Sequence, residues 1–213
     1  MKKIILSFLI ISTFACTNNT DNHDRSEVDY TSYGDSLSLS DLKINNELSN
    51  IKWIGSKVTE SHYGTINIDR GVLQINEGGE LVGGEFVIDM NSLLCTDIKN
   101  EKKKKNLEDH LKDKDFFDVS NFPNSGIKIT DVDKVEAELY RITADLSIKD
   151  ITHSINFDAD VKKQGLNYEV KSNIKIDRTK WDVQYNSGNF FENLGDKLIL
   201  DEIEFDVYLI SQE

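Results

Sequence analysis

Cysteine, proline and long apolar runs are all scarce in this chain, and each scarcity excludes something. Its two cysteines, Cys16 and Cys95, cannot build a disulfide framework once Cys16 is set aside near the N-terminus. Cys95, beside Leu93 and Leu94, reads as a small buried apolar residue rather than a nucleophile. The apolar segment from Ile4 to Ala15 is too short for a bilayer, which takes about 20 residues. His23, His62, His110 and His153 lack metal spacing, such as two histidines four apart with a glutamate, so no metal is expected. No Gly-x-Ser-x-Gly elbow and no glycine-rich phosphate loop is present. Pairs of carboxylates carry no signal, because acids are so abundant that pairs arise by chance. Basic charge is the last shortage. Against 38 acids stand 25 Lys and Arg, and the net charge of −13 repels nucleic acid and anionic head groups. The expectation is a protein with no nucleic-acid partner, no cofactor and no catalytic constellation.

The N-terminus does carry a pattern. Met1-Lys2-Lys3 followed by an apolar stretch fits a secretory signal over residues 1–15. Thr13-Phe14-Ala15-Cys16 resembles the cleavage box of bacterial lipoproteins, in which the cysteine is lipidated, although Thr13 stands where leucine is usual. Cys16 is therefore the expected lipidation site and membrane anchor, with an ordinary secreted protein as the alternative. Loss of Lys2 and Lys3 would take the charge from −13 to −15. From Thr17 to about Asp41 the chain is rich in Asn, Asp, Ser and Thr and has no period. It reads as a disordered tether over residues 16–43, ahead of one domain over residues 44–213.

Within that domain, apolar residues fall on alternate positions. Tyr140, Ile142, Ala144, Leu146 and Ile148 form one such run; Ile155, Phe157, Ala159 and Val161 form the next, after a five-residue connection. Alternation puts one face in the core and one in water, and two such runs read as a hairpin. Further strands are expected over 50–58, 64–69, 72–76, 81–90, 168–176 and 203–209, with a short one at Ile127 and Ile129. Between Cys95 and Val119 the period changes. Leu107 and Leu111 make a narrow stripe on one or two helices, ahead of Asp115-Phe116-Phe117-Asp118, whose aromatics could pin the helix to the sheet. Lys102 to Lys105 reads as a solvated helix face. Many antiparallel strands with one helical insertion point to a closed barrel or a two-sheet sandwich. The small inward residues Ala144, Ala159 and Ser172 favour the barrel.

Parity also places Arg178 inward at the end of one strand and Asp201 inward at the start of the last. A cation there either pairs with an acid or meets the polar head of a ligand. Trp181, Tyr185, Phe190 and Phe191 crowd the following loop, lining a mouth or capping one end.

Several stretches, in order, resemble the YceI-like family. They are Lys52-Trp53-Ile54-Gly55-Ser56-Lys57-Val58, His110-Leu111 with Asp115-Phe116-Phe117-Asp118-Val119 and Phe122-Pro123, and Ala144-Asp145-Leu146-Ser147-Ile148-Lys149-Asp150-Ile151-Thr152. Ile176-Asp177-Arg178-Thr179-Lys180-Trp181 and Leu194-Gly195-Asp196-Lys197 with Asp201 complete the set. Gly is usual in the family where Ala144, Asp150 and Asp109 stand. The lipoprotein-type start resembles the version found in the Bacteroidetes lineage. The resemblance implies an all-β fold: an eight-stranded antiparallel lipocalin-like barrel with a short helical insertion, in the cell envelope and facing the periplasm. It implies a lumen holding a polyisoprenoid chain, such as a quinone or an isoprenoid phosphate, and no catalytic residues. On inward parity the expected ligand-binding side chains are Trp53, Phe86 and Ile88, then Ile142, Ala144, Leu146 and Phe157. Ile174, Ile176, Phe205 and Val207 follow, with Arg178 and Trp181 at the rim. Homodimerisation through an edge hairpin stays open, as does the rival reading of a structural or stress module whose barrel is filled by its own side chains.

Overall fold

The alternating runs become nine antiparallel strands around one interior in the computed structural model, which describes residues 41–212. The expected signal peptide, Cys16 as the expected lipidation site, His23 and almost all of the expected tether lie outside those residues. In chain order the strands are β1 (Asp41–Ile44), β2 (Asn50–Lys57), β3 (Ser61–Ile75), β4 (Leu81–Cys95) and β5 (Asn124–Lys134). β6 (Leu139–Ile148), β7 (Ile151–Gln164), β8 (Asn167–Asp177) and β9 (Ile199–Gln212) complete them, and helix α1 (Glu101–Lys112) lies between β4 and β5.

Nine strands make eight staves. β1 and β2 both lie between β3 and β9, end to end, so they are one wall position interrupted at Asn45–Ser49. There the Asn45 side-chain oxygen accepts from the N–H groups of Glu47 and Leu48, offering the backbone a local turn in place of the ladder. Neighbours then run β2, β9, β8, β7, β6, β5, β4, β3, and the β3–β2 pairing closes the ring. The eight-stranded closed antiparallel barrel with one short helix is what the sequence leads one to expect.

Two local expectations need correcting. The runs at 64–69 and 72–76 are one strand, β3, whose register against β4 shifts between Ile68 and Arg70. Such a bulge adds one residue and moves the inward set from even to odd positions, from Ile66 and Ile68 to Leu73 and Ile75, so the sequence looks like two strands. The hairpin β6–β7 turns in two residues, not five. Lys149 and Asp150 take φ of 52° and 59°, and Ile148 already pairs with Ile151. Two left-handed residues in a row match the twist of the flanking strands, as in a type I′ turn.

α1 is a single helix. The Asn100 side chain accepts from the Lys103 N–H at its start, and Leu111 is buried while Lys102, Lys103 and Lys105 face water. Its first-turn acid, Glu101, suits the positive end of the helix dipole. The barrel has two unlike ends. At one, three hairpin turns join β3–β4, β5–β6 and β7–β8; Tyr140 and Tyr168 are buried near it, and the Tyr168 hydroxyl donates to the Gly79 carbonyl at 3.0 Å. At the other lie α1, the β2–β3 and β6–β7 turns, and the long connection from Arg178 to Leu198. Hairpin end and helix end are convenient names for them.

Candidate functional site

Inside the staves lies an apolar cavity of about 180 Å³. Every lining residue is apolar except Gly55, Ser125, Ser172 and Arg178. It runs from Leu73, Leu81 and Leu209 towards the hairpin end to Leu111, Phe116 and Phe117 at the helix end. Among the described residues no buried side-chain nitrogen or oxygen lacks a partner.

Alternation makes this wall. In β8, Val170, Ser172 and Ile174 face the cavity, while Lys171, Asn173 and Lys175 face out, where they meet acids of β8 and β9. Most of the expected ligand-binding residues line the cavity: Trp53, Phe86, Ile88, Ile142, Leu146, Phe157, Ile174, Arg178, Phe205 and Val207. Ala144, Ile176 and Trp181 do not, although all three are buried. Ala144 is overtopped. Its strand neighbours Ile142 and Leu146 and its cross-strand partners Ile129 and Ile155 all reach the cavity, and a methyl between four longer chains cannot. Ile176 sits between Ile174 and Arg178 and beside Ile203, which border the space in its place. Trp181 belongs to the wall. Its indole N–H donates to the Leu146 carbonyl at 3.1 Å, and its ring meets His153 edge-on at 5.2 Å.

That wedge has a structural reason. β7 pairs with β8 only from Ala159 to Gln164, so residues 151–158 pair with β6 alone. The turn after β8 spans this gap at the helix end: His153 Nε2 lies 3.0 Å from the Lys180 carbonyl oxygen, and Lys149 Nζ donates to the Asp182 carbonyl. Phe190 and Phe191 are exposed and enter neither the cavity nor the wall.

Reading parity alone misses the contribution of the helix. Leu111, Phe116 and Phe117 close the lumen at the helix end, with the Arg178 guanidinium 5.5 Å from the Phe116 ring centre. The paired aromatics were visible in the sequence as an anchor for the helix; that they also floor a cavity depends on where β4 and β5 end.

Arg178 is only 1% exposed. Its Nε donates to the Leu200 carbonyl at 3.1 Å, Nη1 to Val183, and Nη2 to Ile199 at 3.1 Å and to Asp201 Oδ1 at 3.4 Å. Burial pushes its pKa down, while Asp201 and Asp177 oppose that shift. Four of five N–H groups are thus committed to the protein, which makes Arg178 first a latch between β8 and β9.

The histidines do not converge. His62 Nδ1 is 2.8 Å from Asp97 Oδ2, and the Cys95 thiol donates to Asp97 Oδ1 at 3.1 Å. Cys95 is fully buried, and burial together with the bond to Asp97 pushes its thiol up, away from the reactive thiolate. His110 packs edge-on against Tyr185 and Phe116. Among the described residues no three metal-binding side chains cluster.

The YceI-like domain family model matches residues 42–210 of this chain. By structure, the chain is similar to Burkholderia cenocepacia BcnA, with a TM-score of 0.65 and 16% identity, covering 79% of this chain and 99% of that one. It is also similar to a polyisoprenoid binding domain from Saccharophagus degradans (TM-score 0.59, 16% identity, 82% and 99% covered). A Campylobacter jejuni YCEI protein gives 0.51 at 17% identity, with 89% and 96% covered. At such identities these likenesses speak to the fold. No curated protein matches the chain.

Proposed function

The chain belongs to the YceI-like family, and from that premise we propose that it is a non-catalytic carrier which holds a polyisoprenoid chain in its lumen. The observation that carries the reading is the cavity, whose wall is apolar at nearly every position. A hydrocarbon placed there leaves water at about 0.8 kcal/mol per buried CH₂, so chain length supplies affinity without strong head-group contacts. The Saccharophagus domain of the same fold is described as polyisoprenoid binding, which supports this class of ligand over a sterol or a single fatty acid. The head group would sit at the helix end beside Arg178, which has one N–H left to offer. Lipidation at Cys16 would tether the carrier to an envelope membrane, facing the periplasm.

The rival reading, a barrel plugged by its own side chains, has less support. Of the residues large enough to plug it, Trp181 sits in the wall, Phe190 and Phe191 are outside, and Phe205 lines the space without filling it. Extraction of the purified chain and mass spectrometry of the extract test the proposal. An isoprenoid lipid in the extract, or uptake of added isoprenoid quinone, is expected. Failure of both would leave the self-filled barrel.

A further inference from the structure

The carrier reading leaves unexplained a set of apolar residues around the helix end. Val58, Phe190, Phe191 and Leu200 are exposed there by 63, 49, 49 and 43%. They belong to segments tied together by backbone bonds. The Val58 N–H donates to the Leu198 carbonyl, the Ile199 N–H to Asn186, and the N–H groups of Phe190 and Phe191 both to Ser187. Leu198 packs over Gly188, its Cδ1 3.1 Å from where a Cβ would stand. The Asn189 amide fixes the loop to the Asp201 carboxylate at 2.7 Å. Leu200 connects this rim to the interior, since it both borders the cavity and is exposed. The rim and the cavity wall therefore meet at Leu200, where Arg178 holds the Ile199 and Leu200 carbonyls in place.

Resting on the carrier reading, we propose that this rim is a membrane-docking surface. Phe190, Phe191, Val58 and Leu200 enter the interfacial layer of a zwitterionic bilayer, and a lipid tail passes into the lumen beside Leu200 without crossing water. Charge selects the bilayer. Glu192 directly follows the aromatic pair, and the net charge of −13 opposes an anionic surface. Exposed aromatics suit the boundary between head groups and acyl chains. Reach permits the orientation. Asp41 pairs with Gln74 near the β3–β4 turn, so the chain enters the barrel at the hairpin end, opposite the rim. The 25 residues from Cys16 to Asp41 can extend to about 90 Å, whereas a 15-residue stave is about 50 Å long even before tilt. A barrel anchored at Cys16 can thus turn its helix end to the membrane that anchors it.

The test uses the full chain with Cys16→Ser, so that no acyl anchor contributes, and phosphatidylcholine vesicles carrying an isoprenoid quinone. Uptake is measured from the vesicles and, separately, from detergent micelles. Phe190→Ser/Phe191→Ser is expected to take up quinone from micelles at the unaltered rate, and from vesicles at least tenfold more slowly. Val58→Ser should move in the same direction by a smaller factor. Vesicle rates for both variants equal to that of the unaltered chain, with micelle uptake intact, would overturn docking and leave the carrier reading standing. If the unaltered chain takes quinone from neither source, the carrier reading itself fails, and docking with it. A dimer of the unaltered chain that the double variant turns into monomer would reassign the rim to self-association.

Discussion

Arg178 shows how one side chain can hold two staves together. Its guanidinium ties the carbonyls of Val183, Ile199 and Leu200 to the end of β8, so its loss strands several acceptors and the Asp201 charge at once. Arg178→Leu is expected to cost about 3–5 kcal/mol in urea denaturation. Arg178→Lys should recover little, because an ammonium on a flexible stem cannot reproduce a planar fork. Equal midpoints for Leu and Arg would refute the latch. Asp97 makes a pH-dependent contribution. Burial would raise its pKa, but bonds from His62, the Cys95 thiol and the Tyr63 N–H outweigh that and hold it below the usual value. A carboxyl lowered on folding stabilises above its unfolded pKa, about 3.9, and loses that contribution as pH falls through the folded value. Stability should decline below about pH 5, and Asp97→Asn should flatten part of that decline. Parallel melting curves for the two proteins from pH 7 to pH 3 would count against it.

At the scale of elements, the β6–β7 hairpin carries local strain in a position where glycine would carry none. Lys149 and Asp150 both sit at positive φ, a region that costs an L-residue roughly 1 kcal/mol. Asp150→Gly is expected to stabilise the protein by about 0.5–1 kcal/mol, read as a higher melting temperature, since it relieves that cost at an exposed turn. A fall in stability would mean that the Asp150 side chain contributes more than its backbone costs. β3 shows the opposite use of glycine. A Cβ on Gly64 would stand 1.8 Å from the Leu94 carbonyl oxygen and 2.7 Å from the Trp53 ring, so bare backbone lets the Trp53 indole donate to that carbonyl at 3.1 Å. A lining residue is thereby fixed by a strand it does not belong to.

For the whole molecule, ring closure converts an alternating sheet into a container, and the container can be blocked on purpose. Gly55 lines the cavity near the helix end, and a Cβ there would meet nothing within 4 Å. Gly55→Phe should fold with nearly unchanged stability yet carry less isoprenoid lipid after extraction, and gain a smaller rise in melting temperature from added quinone. Undiminished loading would show that a ligand does not pass or occupy that end.

The repeat of two along each strand is a local property of the chain, so most of the inward set, the acidic exterior and a helical insertion could be read without a structure, though not whether that insertion held one helix or two. Arg178 beside Asp201 was legible for the same reason: parity at two strand ends placed both inside. Depth was not. Whether Ala144 or Leu146 reaches the lumen depends on the lengths of neighbours across two strands, and pairing partners far apart in sequence decide those neighbours. The bulge in β3, the short β7–β8 ladder that gives Trp181 its place in the wall, and the closure of the lumen by Phe116 and Phe117 are likewise settled by which staves meet. Alternation made one face greasy; only the joining of the ring turned that face into the wall of a cavity.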